Sequence, residues 1–230
     1  MEHWIYTTNI AGHAISLNLD TIFTMWFAMI VVIIFALLAT RNLSIVPGKL
    51  QAVSESIMKF FYGTLDTMIE TENRKHVPLV ASLFLFIVTA NLMGQLPLRI
   101  IHLKNGAELA SPTNDINLTA AMAVIVLIYY VFMGIKAKGP KLFLHEFSFT
   151  GIVMALVEIL EMFTRPLSLA IRLFANIFAG EILVSIALGS LAYFLPLPIM
   201  LFEILVAFIQ ATVFMMLTIA YIGSATKEEH

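Results

Sequence analysis

The residues best suited to chemistry lie between positions 158 and 181, within a strongly apolar part of the chain. At about 100° per residue on a helix, several polar residues here fall within one stripe about 80° wide. The stripe contains Glu158, Glu161, Arg165, Ser168, Arg172 and Asn176, and Glu181 projects to the opposite side. A charge at bilayer depth costs about 3 kcal/mol or more, so such residues face a protein interior or a water-filled path and mark ion or proton movement.

The two arginines of this stripe differ in what their own helix supplies. Glu161 precedes Arg165 by four residues, which is the favourable orientation for an intrahelical ion pair. We therefore favour a structural role for this pair over a transport role. Arg172 has no carboxylate at helical spacing. If it lies inside a membrane, its counter-charge must come from another helix or from another molecule.

The composition identifies an integral membrane protein. Hydrophobic residues make up 60% of the 230 residues and charged residues 12%, whereas about a quarter of a soluble domain is charged. The net charge of −2 gives no support for a nucleic-acid partner. The chain has no cysteine, which excludes disulfides and thiolate metal sites, and we expect neither a metal nor a cofactor. The first apolar run is too long for a signal peptide, so we expect it to remain as a membrane helix.

Apolar runs of spanning length and the distribution of Lys and Arg together predict an all-α membrane domain over residues 1–230. Eight of the thirteen Lys and Arg residues fall in 41–75 and 136–141, which places these segments on the cytoplasmic side and the N-terminus outside. We expect five membrane-embedded helices and one interfacial amphipathic helix, the last two helices forming a long, steeply tilted hairpin. The predicted segments are 1–20 (outer N-terminus), 21–39 (first crossing), 47–73 (amphipathic helix), 77–98 (second crossing), 116–135 (third crossing), 151–195 (long tilted helix), 199–222 (final helix) and 223–230 (cytoplasmic tail).

Two of these segments leave alternatives open. Segment 151–195 is too long for an upright crossing, because about 40 helical residues extend about 60 Å across a hydrocarbon core of about 30 Å. It must be steeply tilted or broken, and Pro166, Gly180 and Gly189 are candidate bends. Segment 47–73 has one apolar and one charged side, which fits a helix in the membrane interface and equally a helix packed on its neighbours.

Four strings of sequence resemble one known family. In chain order they are NLMGQLP at 91–97, PTNDIN at 112–117, RPLSLAIRLFANIFAGE at 165–181 and FIQATVFMMLTIAYI at 208–222. Together they resemble subunit a of the F-type ATP synthase, and the resemblance covers most of the chain beyond about residue 45. It implies a proton-translocating stator subunit that binds no nucleotide. Such a subunit has two offset aqueous half-channels that couple proton movement to rotation of the subunit c ring.

The resemblance also implies roles for single residues. Arg172 matches the essential stator arginine that faces the ring carboxylates, and Asn176 and Gln210 match polar residues beside it. Glu181 matches a carboxylate of the outer half-channel, and Asp115 a polar position near its mouth. We expect Glu181, Asp115 and Glu203 to conduct protons inward on the outer side, along a path that also includes Asn176 and Gln210.

Two further acids match this family, and other polar residues receive structural roles. Glu158 matches an acid that lines the cytoplasmic half-channel. Glu203 stands where some relatives carry histidine, so the outer half-channel would contain two carboxylates and no imidazole. We interpret Ser168, Asn91 and Gln95 as packing residues rather than proton carriers.

The implied partners are the subunit c ring, a subunit b-type peripheral stalk and the lipid bilayer, with no small-molecule substrate other than the ion. The transported ion is H+, with Na+ as the alternative. The implied location is an energy-coupling membrane, either a bacterial inner membrane or, alternatively, a thylakoid. The rival function is a self-contained secondary transporter or ion channel, against which the lack of inverted repeats counts. An intramembrane enzyme is disfavoured, since HExxH and GxSxG motifs are absent.

Overall fold

The computed structural model describes the backbone of residues 5–10, 13–69, 73–95, 111–138, 149–189 and 196–226. Side chains are described over 18–69, 74–94, 111–137, 156–157, 160–187 and 197–226. The helices are α1 (Leu19–Thr40), α2 (Lys49–Met68), α3 (Val77–Gln95), α4 (Ile116–Lys138), α5 (Phe149–Gly189) and α6 (Pro196–Thr226). Short 3₁₀ turns at Asn73–His76 and Pro112–Asn114 precede α3 and α4.

Within the described residues, five helical stretches are long and apolar enough to cross a membrane, which confirms the predicted helical membrane domain. They are Leu19–Thr40, Arg74–Gly94, Ile116–Ala137, Leu160–Ala187 and Leu197–Thr226. The sixth helix, α2, carries Gln51, Glu55 and Lys59 among its apolar residues and buries Phe61 and Leu65 against its neighbours. The rings of Phe61 and Phe84 meet edge to face, with centroids 5.4 Å apart.

The N-terminal segment contains a β-hairpin that the sequence analysis does not predict. Strand β1 (Ile5–Ile10) pairs antiparallel with β2 (His13–Asn18), in a register that sets Ile5 opposite Asn18 and Ile10 opposite His13. Isoleucine, threonine and tyrosine in IYTTNI favour extended backbone. The hairpin runs directly into α1, so it lies at the N-terminal end of the first predicted crossing.

Helix α5 is continuous over 41 residues although Pro166 lies inside it. The break predicted as one alternative is therefore absent, and a helix of about 60 Å fits a core of about 30 Å when it is steeply tilted. Proline has no N–H, so the carbonyl of Met162 loses its helical donor. The hydroxyl of Tyr130 on α4 donates to Met162 O at 3.2 Å and replaces that donor. A neighbouring helix thereby satisfies the backbone group that the proline leaves open.

The main apolar core is formed by residues of α2, α3, α4, α5 and α6, and it covers one side of α5. Leu169, Leu173 and Ile177 of α5 are buried, and they recur at the spacing of one helix face. Phe214 and Ile219 of α6 are also fully buried. The opposite side of α5 is exposed. A polar residue of α5 is therefore buried or exposed according to the side of the helix on which it lies.

Candidate functional site

Arg172 lies on the side of α5 that the core does not cover. Its side chain is exposed, and so is that of Ser168 one turn earlier, while the side chain of Asn176 is half-buried. Among the side chains that the structure describes, none forms an ion pair or a hydrogen bond with Arg172. A guanidinium is protonated at any working pH. This helix therefore presents a fixed positive charge on an open face, within a stretch apolar enough to span a membrane.

Arg165, two turns before Arg172, has partners on its own helix and on α6. It forms an ion pair with Glu161 on its own helix. Its other terminal nitrogen donates to Ser224 Oγ on α6 at 3.2 Å, and its guanidinium lies 5.2 Å from the centre of the Tyr221 ring. Both Glu161 and Arg165 remain partly exposed. Arg165 thus links α5 to the end of α6, which agrees with the structural interpretation of its pair with Glu161.

Glu181 is on the packed side of α5, with 3% of its surface exposed. Both of its carboxylate oxygens accept hydrogen bonds from the segment that precedes α4. The backbone N–H of Ser111 donates to Oε1 at 3.2 Å, and the amide nitrogen of Asn114 donates to Oε2 at 2.6 Å. The amide oxygen of Asn114 is itself buried and accepts no hydrogen bond within the described part of the chain. Buried acceptors without a protein partner are commonly satisfied by ordered water.

The same segment is attached to α3 through buried side chains. Thr113 Oγ1 donates to Asn91 Oδ1 at 2.8 Å and lies 2.8 Å from Ser111 Oγ. Asn91 in turn approaches the carbonyl of Ala207 on α6 at 3.5 Å. Asn91 and Thr113 are fully buried. A polar network therefore runs from Glu181 on α5 through the 111–114 turn to α3 and α6.

Glu203 on α6 is buried against α5 at Gly180, the residue before Glu181. A side-chain carbon added at Gly180 would lie 2.6 Å from Glu203 Oε1 and 3.0 Å from its Cδ, so the carboxylate lies directly on the backbone of α5. Gln210 follows on the same face of α6 and is also buried. The α5–α6 contact thus places the carboxylate of Glu203 against the residue that precedes the second predicted acid.

Asp115 caps a helix. Its side chain accepts a hydrogen bond from the backbone N–H of Asn117 at 2.9 Å, in the first turn of α4, and another from Asn18 Nδ2 at 2.8 Å. Burial raises the pKa of Asp115, but the hydrogen bonds from Asn18 and Asn117 outweigh burial and bring the pKa below its ordinary value of 3.8. A carboxylate held ionised at a helix N-terminus stabilises that helix. The predicted part of Asp115 in proton conduction stays a prediction, and its lowered pKa disfavours proton binding near neutral pH.

Glu158 falls within α5, but its side chain lies outside the described residues, and so does that of Gln95. Within the side chains that the structure describes, no group of three or more His, Asp or Glu side chains could hold a metal ion. No hydrogen bond joins Arg172 to Asn176 or Gln210 in that part of the chain. The structure therefore separates Arg172, which has no partner among the described side chains, on the open face of α5 from the buried acids Glu181 of α5 and Glu203 of α6.

Sequence patterns do not predict the residues that donate to Glu181. Ser111 and Asn114 belong to a turn in which only Asp115 matches a functional position, and Asn91, which is bonded to this turn through Thr113, reads from the sequence as a packing residue. An asparagine near the end of an apolar helix is the signal that points to this network, because a buried amide requires partners.

Comparison with known proteins decides the family. The sequence model of the family described as ATP synthase A chain matches residues 22–223, which is most of the 230 residues. The chain belongs to the ATP synthase subunit a family. Subunit a from Gloeobacter violaceus is 40% identical over 219 residues, which cover 93% of this chain and 86% of that protein. The chloroplastic subunit a of Stigeoclonium helveticum is 37% identical over 231 residues, which cover 100% and 92%.

Family membership confirms the resemblance stated from the sequence. The chain is a multi-pass membrane protein and a non-catalytic, proton-translocating subunit of ATP synthase. It is therefore part of a complex with other subunits of that enzyme. Its similar proteins come from a cyanobacterium and from a chloroplast.

Proposed function

We propose that this chain is the stator of a rotary ATP synthase, with two offset aqueous half-channels and Arg172 as the residue that faces the carboxylates of the subunit c ring. The observation that carries this proposal is the contrast between the two arginines. Arg165 has an ion pair and a stacking partner, whereas Arg172 is exposed on the uncovered face of α5 and has no partner among the described side chains. A charge at that depth requires a counter-charge, which a passing ring carboxylate supplies.

The charge of Arg172 suits the exchange of a proton on the ring. A ring carboxylate surrounded by lipid is stable when neutral, because desolvation disfavours its charged form. At about 4 Å and an effective dielectric near 20, a guanidinium attracts the carboxylate by about 4 kcal/mol, equivalent to about three pKa units. That attraction favours loss of the proton beside the stator. The same fixed charge opposes direct passage of protons between the half-channels.

The outer half-channel is assigned to the packed side of α5. Glu181 is buried there, Glu203 of α6 is buried against the preceding Gly180, and Gln210 continues the buried polar face of α6 towards Asn176 and Arg172. The buried amide oxygen of Asn114 next to Glu181 supports a water molecule on this path. Asp115 stands at the outer mouth as a fixed negative charge rather than as a carrier. The cytoplasmic half-channel is assigned to Glu158, on the other side of Arg172.

The partners follow from the same assignment. The open face of α5 would meet the subunit c ring, and a subunit b-type peripheral stalk would hold the chain against rotation. The distribution of Lys and Arg places the N-terminus outside and the C-terminus in the cytoplasm. The membrane is then a bacterial inner membrane or a thylakoid. H+ is the transported ion, with Na+ as the alternative.

Reconstitution separates this function from that of a self-contained transporter. The purified chain in liposomes should conduct no protons, and proton flux should appear when it is assembled with the other subunits. The complex should contain a small, two-helix proteolipid that carries one acid in mid-helix. Proton or sodium flux through the chain alone would contradict the proposal and favour the transporter.

A further inference from the structure

The carboxylate of Glu181 accepts hydrogen bonds from one short turn. Ser111 N–H and the amide of Asn114 donate to its two oxygens, at 3.2 and 2.6 Å. These donors are three residues apart, so their direction depends on where the 111–114 turn lies. Because Glu181 is nearly fully buried, a displaced turn would remove both of these donors from a buried carboxylate, which costs free energy.

The turn lies directly against the end of α3. Ser111 Oγ is 3.0 Å from the carbonyl oxygen of Ala90 and 2.8 Å from Thr113 Oγ1. The hydroxyl of Ser111 has one proton, so it donates to one of these two oxygens at a time. Thr113 is bonded to Asn91. These contacts fix the turn to one face of α3 near its C-terminal end.

Gly94 of α3 makes this close approach geometrically feasible. A side-chain carbon added at Gly94 would lie 2.6 Å from Ser111 Cβ, 3.1 Å from its Oγ and 3.6 Å from its Cα. Optimal carbon–carbon contacts are about 3.5–4.0 Å. Since Cβ is attached to the backbone, a change of rotamer at Ser111 cannot relieve this clash. The turn itself would have to move away from α3.

We propose that Gly94 is a positioning residue for Glu181. Because Gly94 has no side chain, the 111–114 turn can pack directly against α3. In this position the turn directs the N–H of Ser111 and the amide of Asn114 towards the carboxylate of Glu181. Gly94 therefore acts on proton access from the outer side without touching the path itself. This inference rests on the proposed role of Glu181 in the outer half-channel.

The contact between Gly94 and Ser111 is tested by adding a side-chain carbon at one residue and removing it from the other. Three variants are made in the assembled ATP synthase: Gly94→Ala, Ser111→Gly, and both together. Ser111→Gly removes the clashing Cβ but keeps the backbone N–H that Glu181 needs. Gly63→Ala is the matched control, because a side-chain carbon at Gly63 would have no atom within 4 Å. ATP-driven proton pumping and proton-driven ATP synthesis are measured in vesicles, at equal amounts of assembled complex.

We expect Gly94→Ala to slow both reactions by about tenfold or more, since a misplacement of about 1 Å costs a catalytic arrangement up to about a hundredfold. The double variant should run within about twofold of Ser111→Gly alone. Gly63→Ala should match the unmodified enzyme. The inference is overturned if Gly94→Ala behaves like Gly63→Ala, or if the double variant is no faster than Gly94→Ala.

Assembly is the second readout. If Gly94→Ala fails to assemble, the double variant must assemble, because the clashing atoms are gone; failure of both contradicts the inference. Glu181→Gln separates this inference from the proposed function. Normal pumping by Glu181→Gln would overturn the function of Glu181, whereas slow Glu181→Gln with fast Gly94→Ala would overturn the positioning role alone.

Discussion

At the scale of single residues, acids with similar sequence surroundings differ in their contacts. Glu161 is partly exposed and paired with Arg165, whereas Glu181 is buried and accepts hydrogen bonds from uncharged groups. An exposed ion pair contributes about 0–1 kcal/mol to stability. A buried carboxylate next to polar groups is the more suitable proton carrier, since functional acids are found in such surroundings.

This difference predicts unequal effects of the same substitution. Glu181→Gln should lower the rate of proton-driven ATP synthesis by about a hundredfold, since general acid–base groups contribute about that much or more. Glu161→Gln should lower it by no more than about twofold. Both rates are measured in vesicles that contain equal amounts of complex. Equal effects of the two substitutions would remove the distinction between a channel acid and an ion-pair acid.

The lowered pKa of Asp115 predicts a pH-dependent contribution to stability. The folded-state pKa lies below 3.8, so the ionised carboxylate stabilises the fold fully above about pH 3.8, and this contribution is lost as the pH falls through the folded-state pKa. Asp115→Ala should therefore lower stability by about 1 kcal/mol at pH 7, as for loss of a helix cap.

The measurement is thermal unfolding of both proteins in detergent between pH 7 and pH 2.5. The difference between them should shrink towards the acid end, because the unfolded state takes up its proton first and the folded state follows as the pH falls further. A difference that stays constant over the whole range would show that the charge of Asp115 does not contribute.

At the scale of elements, α5 depends on a neighbouring helix to stay continuous. Pro166 leaves the carbonyl of Met162 without its helical N–H, and the hydroxyl of Tyr130 on α4 donates to that carbonyl. Arg172 lies six residues after Pro166 on the same continuous helix, so its position depends on the course of α5 past the proline. The α4–α5 contact therefore supports the position of Arg172.

A double-mutant cycle tests this support. Tyr130→Phe should lower the free energy of unfolding by about 1 kcal/mol, because a buried carbonyl loses its partner. Pro166→Ala restores the helical N–H, so in that background Tyr130→Phe should cost less by about 0.5 kcal/mol or more. The free energies are measured by unfolding titration in mixed micelles. Equal costs of Tyr130→Phe in the two backgrounds would contradict the proposed replacement of the donor.

At the scale of the whole molecule, α5 is attached by polar contacts on both sides of Arg172. Towards the N-terminal end of α5, Arg165 contacts Tyr221 and Ser224 of α6. Towards its C-terminal end, Glu181 is bonded to the turn before α4. Arg172 lies between these attachments, on the face that nothing in the described chain covers. This arrangement fixes the helix on both sides of Arg172 and leaves its side chain exposed, as the proposed stator role requires.

The sequence was sufficient to predict the helices and the isolated charge, because apolar runs and helical spacing are local properties. The absence of a carboxylate within one turn of Arg172 is visible in the sequence itself. The β-hairpin was missed because residues 5–18 lack a clear alternation of polar and apolar residues. The turn at Ser111 was missed because it meets Glu181 across 70 residues. The close approach at Gly94 depends on how α3 packs, which no spacing rule gives.

The most direct test of the account is ATP-driven proton pumping by complexes that carry Arg172→Ala. Arg165→Ala, which removes a paired guanidinium from the same helix, is the matched control. We predict that the Arg172→Ala complex assembles with its ring but pumps no protons, while the Arg165→Ala complex keeps most of its pumping. Normal pumping by the assembled Arg172→Ala complex would contradict the central claim that this arginine couples proton movement to rotation.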